Sequence, residues 1–521
     1  MSNLSAASKT LPSTPATSTQ LARLDRKLLF SIVLVVAAFV YFQTDFRRYP
    51  VSGDSANWDY FAQVIARGGV PYRDVVNIKT PLSAYISAVA LLILRPLGLS
   101  DVIAIRLVYI LLAALTVALT FFVAHHYFRS RRIALLAAAI MLSFDLFATS
   151  NSSGTQPKTP MIVLGLMALW AVKVNRPFWA GLFGMLSMLS WQPGLLFAGV
   201  AGLAFSRHLT GWRDGKALRV IAGAALPLAI LALYFWATGA LRDFYLWCFH
   251  YNYTVYAPIG IRSSSNLSEK LSRLIHIRYS SETVYFYTAA IGMLIALVGE
   301  GLRAKADGIK SLIDRAPHHA ILIAPLVYFT FCLINIQGPP DIFPLLPFVS
   351  IYAALALVFA LDRVIWALGR LSPGRRFDGF RMVSYILLVG LVCYWSVADI
   401  FLLKVEELTL QDQEKAVAEM VSYLRPGDKI FVHGDTHLLV LSQRPNLSKY
   451  FFLDRGKDMY LDEIEPDGFN GWIERIRSER PRVIGLSRLQ TVEKAAYLES
   501  LVKVGYLKAG SKGIGYYLRM P

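Results

Sequence analysis

The stretch Gly53-Asp54-Ser55-Ala56-Asn57-Trp58-Asp59-Tyr60-Phe61 places a carboxylate, Asp54, just beyond a long apolar run, and Lys79 follows in Asn77-Ile78-Lys79-Thr80-Pro81-Leu82. A carboxylate among aromatic and apolar neighbours at a membrane boundary can take the proton of an attacking hydroxyl. A lysine fixed beside a proline turn can bind a phosphate or stabilise one as it leaves. Each residue also has a plainer use: Asp54 stands where it would cap a helix over 55–67, and an isolated loop lysine is commonly just solvated. Arg262, Lys270, Arg273 and Arg278 make a second segment, 240–283, basic, which suits a phospholipid-linked ligand and ordinary lipid headgroups equally. Tyr245, Trp247, Phe249, Tyr251, Tyr253 and Tyr256 recur in that segment. An interfacial aromatic belt accounts for them, and stacking on a sugar or a prenyl chain is the sharper alternative. His433 and His437 have i, i+4 spacing at a strand-to-turn position, but no third ligand follows at metal-site spacing.

The elements that must position these residues are membrane helices. The chain of 521 residues is 55% hydrophobic and only 17% charged, with a mean hydropathy of +0.46, which is outside the composition of soluble domains. A net charge of +18 could suit nucleic acid, but apolar runs such as 28–42 and 219–239 recur over roughly four hundred residues and define a polytopic membrane protein. Eleven apolar windows, at 28–45, 101–124, 133–149, 159–171, 179–191, 193–206, 220–239, 284–299, 319–335, 343–361 and 382–401, are the expected spans. With the N-terminus inside, the inner segments hold 22 Lys and Arg in 94 residues and the outer loops 12 in 118, the bias that the positive-inside rule requires. That orientation keeps Leu82–Leu94 out of the span count, as a helix lying along the outer surface and ended by Arg95-Pro96. It also splits 178–205 into two short helices hinged at Gln192-Pro193-Gly194.

The expected organisation is a disordered cytoplasmic arm over 1–27, a membrane domain over 28–401 with a first outer loop at 43–100, and a small outer α/β domain over 402–521. The tail has 18 basic and 17 acidic residues, so nearly all of the positive charge belongs to the membrane domain. Helical spacing over 411–424, 468–477 and 491–504 alternates with strand-like 429–434, 449–453 and 482–486. No GxGxxG, Walker or nucleophile-elbow pattern accompanies these strands. The three cysteines, Cys248, Cys332 and Cys393, all lie outside the tail, so it holds no internal disulfide.

The first-loop pattern resembles the GT-C superfamily of integral membrane glycosyltransferases, which take sugar from a polyprenyl-phosphate carrier. The likeness is to the bacterial relatives of protein O-mannosyltransferases and aminoarabinose transferases. Those proteins have an acidic residue just after the first span, then a G-x-P-Y-x-D stretch, then a K-x-P-L stretch opening a surface helix. The matching residues are Asp54, Gly69-Val70-Pro71-Tyr72-Arg73-Asp74 and Lys79-Thr80-Pro81-Leu82. The likeness extends to Ala180-Gly181-Leu182-Phe183-Gly184 with Gln192-Pro193-Gly194, to the Pro344/Pro347 span, and to the α/β tail. There are two departures. The second outer loop offers Gln156 and Lys158 where many relatives have a carboxylate, and Gln337-Gly338-Pro339-Pro340-Asp341 stands where relatives often show aromatic or His residues.

The resemblance implies an inverting glycosyltransferase with Asp54 as catalytic base. Lys79, Tyr72, Asp74 and one or more of Arg262, Arg273 and Arg278 would bind the donor. Its partners would be a polyprenyl-phosphate-linked sugar, membrane lipids and a glycan, lipid or protein acceptor, with no nucleic acid. Fixed cations can neutralise the leaving phosphate, so no cofactor is required and a divalent metal is an open alternative. With three cysteines and no disulfide framework, a bacterial inner membrane is the expected location, with the N-terminus cytoplasmic and the C-terminus periplasmic. The competing class is a lipid or solute transporter of the cell envelope, for which helices broken near Pro193, Pro227 and Pro344 would line a path. No internal repeat between the halves supports it.

Reporter fusions test the topology: those after Gly211, Ala306 and Pro373 should report the inner side, and those after Ser265 and Pro426 the outer side. An inward-facing fusion at Pro426 would remove the basis for a site on the outer face.

Overall fold

The computed structural model describes residues 25–206, 215–262, 266–308, 315–371, 378–402, 408–434, 436–511 and 514–520. Most of the expected N-terminal arm, residues 1–24, lies outside them. All eleven apolar windows are helical. In chain order the first helices are α1 (Arg26–Tyr41), α2 (Gly53–Ala66), α3 (Leu82–Leu94), α4 (Asp101–Phe128), α5 (Arg131–Leu142), α6 (Asp145–Ser152), α7 (Lys158–Lys173), α8 (Pro177–Ser190), α9 (Leu195–Phe205) and α10 (Lys216–Ala237). Helices Thr283–Asp307, Ala316–Ile334, Leu346–Leu371 and Asp378–Leu402 complete the membrane unit.

Local chemistry sets the breaks. The Ser100 hydroxyl accepts the Ile103 N–H to start α4, left-handed Arg129 ends it, and Ser130 caps α5. Arg95-Pro96 converts the end of α3 into a 3-10 turn, and Gln192-Pro193-Gly194 forms another between α8 and α9, both where the sequence places them. Glycines let α8 and α10 meet backbone to backbone: a Cβ on Gly181 would lie 2.0 Å from the Val220 carbonyl, and one on Gly223 2.0 Å from that of Phe178. Among the described residues five helices are long and apolar enough to cross a membrane, or six if α5 and α6, bent by 58°, are one span. The expected count of eleven therefore includes helices shorter than a bilayer's thickness. Exposed Ile230, Leu233, Trp236, Ile291, Leu294 and Leu387 give the unit apolar outer faces, as lipid contact requires.

The tail carries a four-stranded sheet of β1 (Ile430–His433), β2 (Val483–Leu486), β3 (Tyr506–Ser511) and β4 (Ile514–Arg519), in the order β1-β2-β4-β3. β1 and β2 are parallel, and β4 is antiparallel to both β2 and β3. Two expectations are corrected here, and one element is added. The hairpin of β3 and β4 has no counterpart in the sequence reading. The helix expected over 491–504 shortens to Ala495–Ser500. The segment 449–453 is extended but joins no sheet, because its apolar side chains pack on the membrane unit: Phe451 meets Tyr60 edge-on at 5.4 Å and Tyr450 meets Trp247 at 5.7 Å.

This docking is continuous. The Gln413 side chain accepts the Val51 N–H at 2.6 Å and donates to the Val51 carbonyl at 3.0 Å. The Val76 N–H donates to the Lys449 carbonyl at 3.0 Å, and the Asn446 N–H to the Tyr60 hydroxyl at 2.8 Å. One buried apolar cluster runs through the first loop, the start of 240–262 and the tail. These three segments thus share one side of the membrane unit.

Candidate active site

A cavity of about 600 Å³ opens where these segments meet. Its wall is drawn from 52–58, 76–79, 150–158, 191–193, 252–257, 331–341 and 451–457. Asp54 and Lys79, singled out by type and spacing, both line it.

Asp54 sits in the first turn of α2, exposed toward the cavity, and makes no hydrogen bond or ion pair among the described residues. The cap position belongs to Ser52, so the capping role considered for Asp54 is not the one it takes. Lys79 is held through its backbone. Its N–H donates to Asn77 Oδ1 at 3.0 Å, and its carbonyl accepts the Tyr72 hydroxyl at 2.7 Å and the Cys248 thiol at 3.3 Å. The neighbouring Ile78 carbonyl accepts from Gln192 Nε2 at 2.8 Å and Asn252 Nδ2 at 2.7 Å. With the stem so fixed, the Lys79 ammonium lies 5.1 Å from the Tyr256 ring and 5.7 Å from the Trp191 ring, a cation–π setting with no carboxylate within 4 Å among the described residues.

The other predicted site residues fall elsewhere. Tyr72 is fully buried at a left-handed φ of 67°, its ring against Phe61, Phe235 and Phe244. Asp74 accepts the Val70 N–H at 2.7 Å and pairs with Arg73 at 2.8 Å, which holds its carboxyl below the usual range. Neither lines the cavity; both shape the loop that carries Lys79. Arg273 is exposed and paired with Glu269, and Arg278 is exposed; neither is a wall residue. The side chain of Arg262 lies outside the described residues. The aromatic run divides as well: Tyr245, Phe249 and Tyr253 are exposed as a belt would be, Trp247 and Tyr251 are buried, and Tyr256 lines the cavity.

Five charged wall residues, Lys158, Asp341, Asp454, Arg455 and Lys457, were not among the expected site residues. Lys158 pairs with Asp341 at 3.3 Å and lies 4.5 Å from the Trp191 ring. Arg455, from the tail, sits 5.4 Å over Tyr256 and donates to its hydroxyl at 3.3 Å, while that hydroxyl donates to Gln337 at 2.7 Å. Burial pushes the Tyr256 phenol up, but Lys79 and Arg455 outweigh it and leave the phenol below its ordinary value. Both departures noted in the sequence, at 156–158 and 337–341, are therefore cavity walls, and this was their only signal. Arg455 had none.

A metal held by several carboxylates does not fit this wall. Asp341 is taken by Lys158 and by the N–H groups of Gln337 and Gly338, and Asp454 by Lys457 at 2.5 Å. No group of three His, Cys, Asp or Glu converges among the described residues. His433 is buried in the tail, accepting the Leu453 N–H at 3.1 Å, and burial pushes it down to about 4.

No family model matches the chain and no curated protein matches it in sequence. Solved structures do match. ArnT from Cupriavidus metallidurans bound to undecaprenyl phosphate superposes with a TM-score of 0.59 at 12% identity, over 94% of this chain and 97% of ArnT. The oligosaccharyltransferase AglB from Archaeoglobus fulgidus, in complex with an inhibitory peptide and a dolichol-phosphate, superposes with a TM-score of 0.54 at 13% identity, over 95% and 74%. The chain shares the fold of ArnT and AglB, and it is an integral membrane protein.

Asp59, one turn beyond Asp54 on α2, ties the first loop to the second beneath the cavity. Its Oδ1 accepts the Thr155 N–H at 3.1 Å and hydroxyl at 2.6 Å, while its buried Oδ2 has no partner. Gly154, at φ 148°, makes room: a Cβ there would lie 2.9 Å from Oδ2. Burial pushes this carboxyl up to about 6 from 3.8, against the pull of Thr155 and Arg106. The folded chain therefore binds the proton more tightly than the unfolded one, so the group's contribution falls as pH rises from about 4 through 6 and stays low above that. Asp59→Asn keeps an acceptor for Thr155 and removes the charge. Its thermal unfolding in detergent should show a gain at neutral pH, on the order of 2 kcal/mol, that vanishes near pH 4. A loss of stability at neutral pH would contradict this.

Proposed function

We propose that the chain is an inverting glycosyltransferase that moves a sugar from a polyprenyl-phosphate carrier to a glycan, lipid or protein acceptor at the outer face of a bacterial inner membrane. The N-terminus is then cytoplasmic and the tail periplasmic. The observation that carries the reading is the sharing of one cavity by a carboxylate, Asp54, and a held cation, Lys79, neither of which has an ion-pair partner among the described residues. The phosphate-bearing lipids in ArnT and AglB, on the same fold, support the class of donor.

In this reading the acceptor oxygen attacks the anomeric carbon from the face opposite the phosphate, so a single displacement inverts the configuration. Asp54 takes the hydroxyl proton as the bond forms. The bond from the anomeric carbon to the phosphate oxygen breaks, and the carrier phosphate leaves with its new charge facing Lys79. Arg455 brings a further cation to the same cavity from the tail, against the ring and hydroxyl of Tyr256, so the tail contributes to the site.

Transfer from a synthetic short-chain polyprenyl-phosphate sugar tests this and separates it from transport. Asp54→Asn should lower turnover at least about a hundredfold with carrier binding and protein level kept. Full transfer by that variant would return Asp54 to a structural role.

A further inference from the structure

Lys158 is a cavity cation that the reaction above leaves unused. It opens α7, where a positive charge faces the positive end of the helix dipole, so the position is locally unfavourable. It is nonetheless tightly held. Only 12% of its side chain is exposed, its ammonium is 3.3 Å from Asp341 Oδ1, and it rests 4.5 Å from the centre of the Trp191 ring. Asp341 is itself fixed, because its Oδ2 accepts the Gln337 N–H at 2.8 Å and the Gly338 N–H at 3.1 Å. The ammonium of Lys79 lies 5.7 Å from the centre of the same indole. Two ammonium groups from separate loops thus share one aromatic wall, and among the described residues only one of them has a carboxylate. Like charges gathered in a partly desolvated cavity repel each other until an anion joins them.

We propose that Lys158 is a second ligand of the carrier's phosphate, gripping it together with Lys79 at Trp191, and that Asp341 holds Lys158 in place while the site is empty. This rests on the donor reading given above. Lys158 moves no proton. It supplies charge to the phosphate oxygen from which the sugar departs, and that oxygen keeps the electron pair of the broken bond. The occupant is recognised through its phosphate alone, so the contribution is the same for every sugar on the carrier.

The proposal separates from a merely structural ion pair by sign. In a structural pair the two halves are equally needed. Here Asp341 competes with the ligand for Lys158, so removing its charge frees the lysine. The full-length protein in detergent is titrated with a short-chain polyprenyl phosphate that carries no sugar, and the melting temperature of each variant is recorded. Lys158→Met should weaken binding at least about tenfold, the scale of a charge-assisted contact, and should raise KM and lower kcat together, because the charge on the leaving oxygen grows as the sugar departs. Lys158→Arg should keep part of the affinity. Asp341→Asn should bind as tightly as wild type or more tightly. Binding by Lys158→Met within about twofold of wild type would overturn the proposal. Parallel losses of affinity and melting temperature in Lys158→Met and Asp341→Asn would also overturn it and leave a structural pair. If Lys158→Met fails to fold, Asp341→Asn decides alone: unchanged or tighter binding supports the proposal and weaker binding overturns it. A wild-type protein that grips the carrier through Lys158 but transfers no sugar would sink the glycosyltransferase reading and leave this site standing. Wild-type transfer with an unaffected Lys158→Met would do the reverse.

Discussion

The chain between α1 and α3, across 45–80, buries backbone groups that α2 does not satisfy, and the rest of the site depends on how they are paired. The N–H and carbonyl of Val51 go to Gln413, the Arg48 carbonyl accepts the Leu410 N–H, and the Val76 N–H goes to Lys449. Arg106, fully buried, donates to the carbonyls of Phe46, Ser153 and Pro50. Leaving such groups buried and unpaired would cost on the order of 1–3 kcal/mol each. The C-terminal domain is therefore docked by obligation, and the polar cavity is the space that remains beneath it.

Within that frame the Lys79 loop is over-determined. Tyr72 adopts a left-handed backbone conformation that a bulky residue rarely takes, and its buried ring and its hydroxyl bond to the Lys79 carbonyl hold it there. The Asn252 amide spans the carbonyls of Ile78, Trp247 and Cys248, so this asparagine is spent on structure. The result is a cation fixed before any ligand arrives, against aromatic faces rather than bulk water, where its field on an anion is strongest.

How much of this was legible depended on whether the chemistry lay along the chain or across it. Asp54 and Lys79 sit in one continuous loop with proline and glycine punctuation, and α3 and the Gln192–Gly194 hinge carry their own breakers, so all four could be read. Lys158, Asp341 and Arg455 converge from three distant segments and have no mutual spacing. The basic residues Arg273 and Arg278 drew attention by charge alone, yet both sit on the exposed surface. Tyr450-Phe451-Phe452-Leu453 reads as a buried strand, because a continuous apolar run does not distinguish a strand from a segment docked on another unit. The β3–β4 hairpin, broken by Gly510 and Gly515, lacked the alternation that would have marked it.

If the proposed function is right, the cavity beneath the tail receives the phosphate of a polyprenyl carrier. An electron cryo-microscopy structure of the chain with undecaprenyl phosphate in a lipid nanodisc tests it most directly. Phosphate density is expected within hydrogen-bond reach of the Lys79 ammonium, beside Trp191 and Tyr256, with the prenyl chain running outward into the bilayer. A phosphate seated instead on the exposed arginines of 266–278, with the cavity empty, would contradict it.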